Sequence, residues 1–202
     1  MIAIIDVETT GLLLPEGAPL ENQPKIIELA AIKIDEEGNE VDRIEMLINP
    51  IMPLPAIITK ITGIKDEDVC SKPTFDFYVG ELIEFFTGVH TVIAHNVSFD
   101  MGMLINDLKR ATALDQFPMP QRRICTVEAT HHLFNKRLNL TKAYRHYTGK
   151  DPVEAHRAMQ DVETLKELVG HLVDKGVIQL CLSTSNSDQK VHLSDVSGQS
   201  LP

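Results

Sequence analysis

Residues 2–11 read Ile-Ala-Ile-Ile-Asp-Val-Glu-Thr-Thr-Gly, an apolar run that ends in two acids and a glycine. The apolar, mostly β-branched run at residues 2–5 predicts a short buried strand that ends at Asp6. Residues two apart on a strand face the same way, so Asp6 and Glu8 should present two carboxylates side by side. Gly11 follows at a point where a positive φ would allow a sharp turn.

The Asp6–Glu8 pair has two interpretations. Adjacent carboxylates repel each other unless a positive charge lies between them, and a divalent cation would supply it. Alternatively, the strand ends in a polar turn and both acids are solvated. The pair alone does not separate a metal site from a polar strand end.

Outward from this strand, the pattern predicts an α/β fold. Three antiparallel strands followed by strands that alternate with helices indicate a mixed five-stranded sheet, three antiparallel strands then two parallel, flanked by helices. The predicted elements are a loop at 12–25, strands at 26–35 and 40–48, helical pieces at 55–70, a helix at 74–87, a strand at 89–94, a helix at 99–111, a strand at 124–126, helical segments to 147 and a helix at 155–173. Residues 1–180 form one predicted domain, and the polar tail at 181–202 is predicted to be disordered.

Composition leaves the partner open. The net charge is −10, which is unusual for a nucleic-acid-binding protein. The acidity lies in residues 1–100, with 18 Asp and Glu against 6 Lys and Arg, while residues 101–202 hold 11 against 13. An acidic protein can still engage phosphates through bound cations.

The same composition predicts a cytoplasmic protein without a membrane partner. No apolar run is long enough to cross a bilayer, and the first residues lack the basic flank and cleavage site of a signal peptide. The three cysteines are far apart and form no C-x-x-C pair, which argues against a disulfide framework and a structural zinc site.

Two further segments carry candidate acids. Asp100 follows the predicted strand at 89–94 and could serve a site at the end of that strand, or act as a first-turn acid with Ser98 as the cap. Asp161 projects at the edge of the apolar stripe of the final helix, where a carboxylate is costly unless it is paired or bound to metal. On a regular helix His156 would point about 140° away from Asp161, so a shared site places His156 in the loop before the helix.

Together, four carboxylates and a histidine at three element ends predict metal-assisted hydrolysis. Oxygen ligands without cysteine favour Mg²⁺ or Mn²⁺ over zinc. Two such ions close together can stabilise the attacking and leaving oxygens of a phosphoryl displacement. A histidine on a movable loop suits a general base.

Three motifs in order resemble those of the DEDDh (DnaQ-like) 3′–5′ exonucleases. They are D-x-E-T-T-G at 6–11, H-N-x-x-F-D at 95–100 and H-x-x-x-x-D at 156–161, and the resemblance covers about residues 1–175. It implies a ribonuclease-H-like fold, two divalent metals and stepwise release of nucleoside 5′-monophosphates from a 3′ end. A further match is I-T-G-I at 61–64.

The resemblance also implies roles for individual residues. Asp6, Glu8 and Asp161 would bind the metal that activates water, Asp6 would bridge to a second metal near Asp100, and His156 would be the general base. The implied substrate-binding residues are Thr9, Gly11, Leu12, His95, Asn96 and Phe99. Leu12 would wedge against the terminal base.

The resemblance also bears on the substrate and the protein partner. The motifs look closer to polymerase III epsilon proofreading subunits and exodeoxyribonuclease X than to oligoribonucleases, which favours single-stranded DNA and a DNA polymerase as partners. Relatives often have Asp-Thr where this chain has Cys125-Thr126, outside the five catalytic positions. The alternatives are an exoribonuclease of the same family and a catalytically silent accessory domain. One or two basic residues are predicted to line the substrate groove and bind backbone phosphates, while the rest would be solvated surface charge, and Lys142 with Arg145 is the pair chosen for a test. The candidates are Arg122, Arg123, Lys136, Arg137, Lys142, Arg145 and Lys150.

Overall fold

Five strands form one mixed sheet in the computed structural model, which describes residues 1–134, 136–152 and 156–180, without the side chains of 132–134. The strands are β1 (Ile2–Thr9), β2 (Ile26–Ile34), β3 (Glu40–Leu47), β4 (Thr91–Ala94) and β5 (Arg122–Cys125). Their order is β3-β2-β1-β4-β5. Strand β2 is antiparallel to β1 and β3, whereas β4 is parallel to β1 and β5. The predicted sheet is confirmed.

Helices cover both faces of this sheet. They are α1 (Ala56–Thr62), α2 (Asp66–Val69), α3 (Phe75–Phe86), α4 (Val97–Arg110), α5 (Thr126–Phe134), α6 (Leu140–Thr148) and α7 (Ala158–Asp174). Apolar residues of α3 and α4, such as Phe86 and Leu104, fill a core on one face. Those of α6 and α7, such as Ala143 and Leu165, fill a core on the other. The result is a three-layer α/β/α domain.

Strand β1 lies in the middle of the sheet and serves both cores. Ile5 and Val7 enter the core under α4, while Ile4 enters the core under α7. Because side chains alternate along a strand, Asp6 and Glu8 lie on the same face as Ile4. The apolar face of β1 that packs against α7 therefore ends in two carboxylates.

Strand β1 is longer than its apolar run predicted, because it continues through the carboxylates to Thr9. Its pairing with β2 persists through Asp6 opposite Ala30 and Glu8 opposite Glu28, with a register shift after Glu8. Backbone hydrogen bonds do not depend on the polarity of the side chains, so the ladder extends past the point where the hydrophobic pattern stops.

Two helix starts differ from the predicted ones. Helix α4 begins at Val97, because the carbonyl of Asn96 accepts the backbone N–H groups of Phe99 and Asp100. Ser98 lies inside the first turn, so its predicted alternative role as the cap is wrong. Helix α7 begins at Ala158, three residues later than predicted.

The predicted tail at 181–202 lies outside the described residues. Within the residues that the structure describes, no helix is both long enough and apolar enough to cross a membrane.

Candidate active site

The end of β1 meets the start of α4. Strand β4 is the parallel neighbour of β1, so the carboxyl ends of the two strands lie at the same edge of the sheet. Asp100, in the first turn of α4, is only 3% exposed. The backbone N–H of Val7 donates to its carboxylate. Asp100 is thereby held against β1, at the residue that lies between Asp6 and Glu8 in sequence.

The start of α7 brings the other two candidates to the same place. Asp161 lies in the first turn of α7, and His156 lies before the helix, as the shared-site hypothesis required. The His156 backbone N–H donates to Asp161 Oδ2 at 3.2 Å. One ligand atom each from Glu8, His156 and Asp161 lies within 4.8 Å of the others. These three residues could hold a metal ion.

Asp6, Glu8, Asp100 and Asp161 form a carboxylate cluster, and burial and like charges raise the pKa values of its members. The pKa of Glu8 rises to about 7, mainly through desolvation and then through repulsion from Asp161 and Glu28. Desolvation also raises the pKa of Asp100 to about 7. The pKa of Asp6 lies well above its ordinary value, because desolvation is joined by repulsion from Asp100, Asp161 and other acids.

The donor set fits a hard divalent cation. Four carboxyl groups whose ionisation is disfavoured by burial would be stabilised as anions by positive charge placed among them. Carboxylate oxygens are the ligands that Mg²⁺ and Mn²⁺ prefer.

Beyond the carboxylates, β1 leads into a turn that is followed by the exposed side chain of Leu12. The Thr9 hydroxyl donates to the carbonyl of Gly11 at 2.7 Å, which fixes the turn. Gly11 does not have a positive φ, so that prediction is wrong. The turn is instead set by this bond and by pairing of Thr10 with Lys25. Leu12 is 80% exposed, so its side chain is free to contact a ligand.

The second motif contributes mostly structural contacts. His95 Nε2 lies 2.9 Å from the carbonyl oxygen of Leu138, and Nδ1 lies 2.9 Å from the Thr126 hydroxyl. Since a carbonyl only accepts, Nε2 carries the proton, and Nδ1 accepts from Thr126. His95 therefore joins the ends of β4 and β5 to the segment before α6. Asn96 is exposed, and Phe99 packs partly against the core.

Cys125-Thr126, where the family resemblance would lead one to expect Asp-Thr, is compatible with the contacts of His95. Thr126 supplies the hydroxyl that bonds the His95 ring, and the Cys125 thiol lies 3.6 Å from the His95 carbonyl oxygen. The side chains of Thr126 and Cys125 therefore both take part in one local network around His95.

Sequence reasoning missed one pair beside the cluster. Glu28, the one acid inside the apolar strand β2, is fully buried. It accepts from the Arg157 guanidinium at 2.6 and 3.0 Å and from the backbone N–H of Ala158 at 2.9 Å. A lone glutamate in a strand that is otherwise almost entirely apolar is the signal that could have found it.

The motifs and their geometry agree with a comparison against known families. The model of the exonuclease family RNase_T matches residues 3–169. The chain belongs to this exonuclease family. Within it, the DEDDh motif set and the mixed sheet make the chain a DEDDh-type exonuclease domain, and hence a nuclease.

Relatives and solved structures agree with this assignment. A DNA polymerase III of the PolC type from Bacillus cereus is 36% identical over 181 residues, which are 86% of this chain and 12% of that protein. The structure of exonuclease X in complex with 5′-overhanging duplex DNA is 26% identical, covers 87% of this chain and 93% of its own, and has a TM-score of 0.59. The nuclease domain of 3′hExo bound to rAMP, at 18% identity and 87% and 92% coverage, shows the shared fold with a TM-score of 0.69. The chain thus spans only about an eighth of the PolC-type relative.

Proposed function

We propose that this exonuclease domain degrades nucleic acid from the 3′ end, releasing nucleoside 5′-monophosphates, with two Mg²⁺ or Mn²⁺ ions held by its carboxylates. The observation that carries the proposal is the convergence of Glu8, His156 and Asp161, whose ligand atoms lie within 4.8 Å of one another. A cluster of acids with one histidine is the arrangement expected of metal-assisted phosphodiester hydrolysis.

Each carboxylate has a defined place in this proposal. Asp6, Glu8 and Asp161 would hold the cation that activates the attacking water, and Asp6 with Asp100 would hold the second. When bound, the cations lower the pKa of the water and offset charge on the leaving oxygen. The buried position of Asp100 keeps bulk water away from its side of the cluster.

His156 is the general base. Its side chain is exposed, and its backbone is bonded to Asp161, so the imidazole is accessible to a water beside the cluster. A neutral imidazole accepts the proton from that water as the water oxygen bonds to phosphorus and the bond from phosphorus to the 3′ oxygen of the preceding nucleotide breaks. The leaving 3′ oxygen takes up a proton from solvent, and the imidazolium releases its proton to solvent.

The terminal nucleotide is bound by the surrounding segments. Thr9 and the backbone at Gly11 contact it, and the exposed Leu12 side chain packs against its base. Asn96 and Phe99 shape the pocket floor, while His95 supports that floor from below. Burying an exposed leucine against a base is favourable by about 1–2 kcal/mol, which suits a wedge.

Single-stranded DNA is the proposed substrate, and a DNA polymerase the proposed partner. The choice of DNA is supported by the similarity to a DNA polymerase III and to exonuclease X, which was solved with 5′-overhanging duplex DNA, and the choice of a single strand follows from the motif resemblance. An exoribonuclease with the same chemistry is the alternative that the first experiment separates.

The test is a time course with 5′-labelled single-stranded DNA and its RNA counterpart, in Mg²⁺, Mn²⁺ or EDTA. Asp6→Ala is the control for contaminating nuclease. We expect a ladder that shortens by one nucleotide at a time, requires metal, advances faster on DNA and is absent in the Asp6→Ala protein.

Other outcomes would correct the proposal in defined ways. Faster shortening of the RNA would assign the chain to the exoribonucleases. Release of the label as a short product at the earliest times would indicate attack from the 5′ end or internal cutting. An intact substrate under every metal condition would leave a silent accessory domain as the better account.

A further inference from the structure

An ion pair with a buried carboxylate and a partly exposed guanidinium joins strand β2 to the start of α7, next to the residue assigned as the general base. Glu28 is fully buried, and its carboxylate receives Arg157 Nε at 3.0 and 3.2 Å, Arg157 Nη2 at 2.6 Å and the Ala158 N–H at 2.9 Å. A buried carboxylate is costly unless hydrogen bonds satisfy it, and these contacts do so. The pair is formed across 129 residues of sequence.

Glu28 acts as a cap supplied from another element. The N-cap residue of α7 is Arg157, and its side chain makes no capping hydrogen bond to the helix. The first backbone N–H groups of a helix have no partner within the helix, and Glu28 accepts one of them, that of Ala158. Its negative charge also suits the positive end of the helix dipole. The beginning of α7 is therefore fixed to the sheet.

The residue just before this anchor has an unusual backbone. His156 has a φ of 72°, in the left-handed region that residues other than glycine adopt at a cost of about 1 kcal/mol or more. Such a conformation persists where surrounding contacts impose it. On one side the His156 N–H is bonded to Asp161, and on the other side Arg157 and Ala158 are bonded to Glu28.

The anchor also lies close to the acids of β1. Glu28 is directly opposite Glu8 in the β1–β2 pairing, so the strand that holds Arg157 is the neighbour of the strand that carries Glu8. The bidentate guanidinium contact sets both the distance and the direction of residue 157 relative to this strand. A lysine would keep the charge but could not form the fork.

From these contacts we infer that Glu28 and Arg157 are positioning residues for His156. The pair holds the backbone of residues 156–158 in the one conformation that directs the imidazole toward Glu8 and Asp161. This inference rests on the proposed function, in which His156 is the general base. The pair acts through His156 and has no contact of its own with substrate.

The test is a double-mutant cycle on kcat for a labelled DNA oligonucleotide in saturating Mg²⁺. The variants are Arg157→Lys, His156→Ala and the combination, with Asp6→Ala to measure contaminating nuclease. Glu28→Gln changes the other member of the pair. Its amide oxygen can still accept the hydrogen bond from the Ala158 N–H. Unfolding temperature and DNA affinity in Ca²⁺ are measured for every variant.

Arg43→Lys is the matched control. Arg43 also reaches from the sheet to α7, binding Glu163 at 3.0 Å, and its side chain is 47% exposed against 42% for Arg157. Its partner on α7, Glu163, is not one of the proposed metal ligands. Because Glu163 is exposed and Glu28 is fully buried, the two variants are compared by the kcat of the folded protein, which a purely structural tie between sheet and helix would leave unchanged in both.

Positioning predicts a specific pattern. Arg157→Lys and Glu28→Gln lower kcat by about 10- to 100-fold with KM and DNA affinity nearly unchanged, as is usual for partners that orient a functional group. In the His156→Ala background the same Arg157→Lys change costs less than about twofold, because the residue it positions is gone. Arg43→Lys leaves kcat within about twofold.

Three results overturn the inference. Equal losses from Arg157→Lys with and without His156 would show that the pair does not act through the base. A loss confined to unfolding temperature, with kcat of the folded protein intact, would show a purely structural role. Inactivity of the unaltered chain would remove the proposed function and this inference with it, whereas the first two results remove the inference alone.

Discussion

At the residue scale, Glu8 shows how burial and function oppose each other. Its carboxyl is half-buried beside Asp161 and Glu28, and its pKa is raised from 4.5 to about 7. Near neutral pH the metal-free fold therefore holds a group that ionises with difficulty. A bound cation reverses this preference, because it favours the ionised form.

This raised pKa predicts how stability changes with pH. The folded state binds a proton at Glu8 more tightly than the unfolded chain, so the resulting stability is present below about pH 4.5 and is lost as the pH rises through about 7. In EDTA, the unfolding temperature should fall between about pH 5 and pH 8.

Two controls test the cause of that pH dependence. Glu8→Gln should reduce the slope, because the glutamine does not ionise, and should leave the part caused by Asp6 and Asp100. Saturating Mg²⁺ should flatten the slope, by stabilising the ionised carboxylates. A slope that is the same in Glu8→Gln and in the unaltered chain would show that other groups cause it.

Replacing Asp100 should preserve or raise the stability of the metal-free fold and lower catalytic activity. Its carboxyl is 3% exposed and has a pKa raised to about 7, so Asp100→Asn removes an ionisable group that the fold disfavours. We expect the metal-free variant to be at least as stable as the unaltered chain, with kcat reduced by at least about 100-fold. Thermal unfolding in EDTA and the DNA time course measure the two effects. A destabilised variant with normal kcat would contradict both.

At the element scale, the loop that carries Leu12 is fastened to α4. The Arg110 guanidinium donates to the carbonyls of Leu20, Gln23 and Pro24 at 2.6–3.1 Å. Closer to the site, Leu13 packs so tightly on Gly102 that a Cβ there would lie 2.6 Å from Leu13 Cδ1. The loop is therefore positioned by the helix that also carries Asp100.

Loosening this loop should affect substrate binding more than chemistry. Arg110→Ala removes the three carbonyl contacts, so we expect KM to rise by about tenfold while kcat changes by less than about threefold. Lys109→Ala, an exposed neighbour on the same helix, is the matched control and should change neither. If kcat falls in Arg110→Ala while KM is unchanged, the loop is not part of the binding surface.

How much of the site the sequence predicts depends on how local the signal is. Asp6 and Glu8 follow a buried run, and Asp161 interrupts an apolar stripe, so periodicity within one element finds them. The start of a helix depends on which carbonyl first accepts a backbone hydrogen bond, and side-chain periodicity does not show this. The observed starts of α4 and α7 therefore differ from the predicted ones by two and three residues. The partner of Glu28 lies 129 residues away, and no local pattern can identify such a contact.

At the scale of the whole molecule, an acidic chain must still attract a polyanion. The net charge is −10, but α6 presents Lys142 and Arg145 on its exposed side. Arg145 also forms an ion pair with Asp151. Lys142 and Arg145 test for a phosphate-binding groove more directly than the net charge does, because binding depends on charges near the substrate.

Neutralising both residues should weaken binding in a salt-dependent way. If Lys142 and Arg145 bind backbone phosphates, the double change to Gln lowers the slope of log affinity against log salt by about 0.7 for each phosphate of single-stranded DNA that is no longer neutralised. Affinity in Ca²⁺, measured over a range of salt concentrations, gives this slope. Unchanged binding and an unchanged slope would remove both residues from the groove.

The carboxylate cluster should be a divalent-cation site, and a calorimetric titration of Mn²⁺ measures whether it binds ions. The unaltered chain should bind about two ions. Asp6→Asn, which changes the residue assigned to both ions, should weaken that binding by at least about tenfold. No saturable binding by the unaltered chain, or equal binding by Asp6→Asn, would contradict the account.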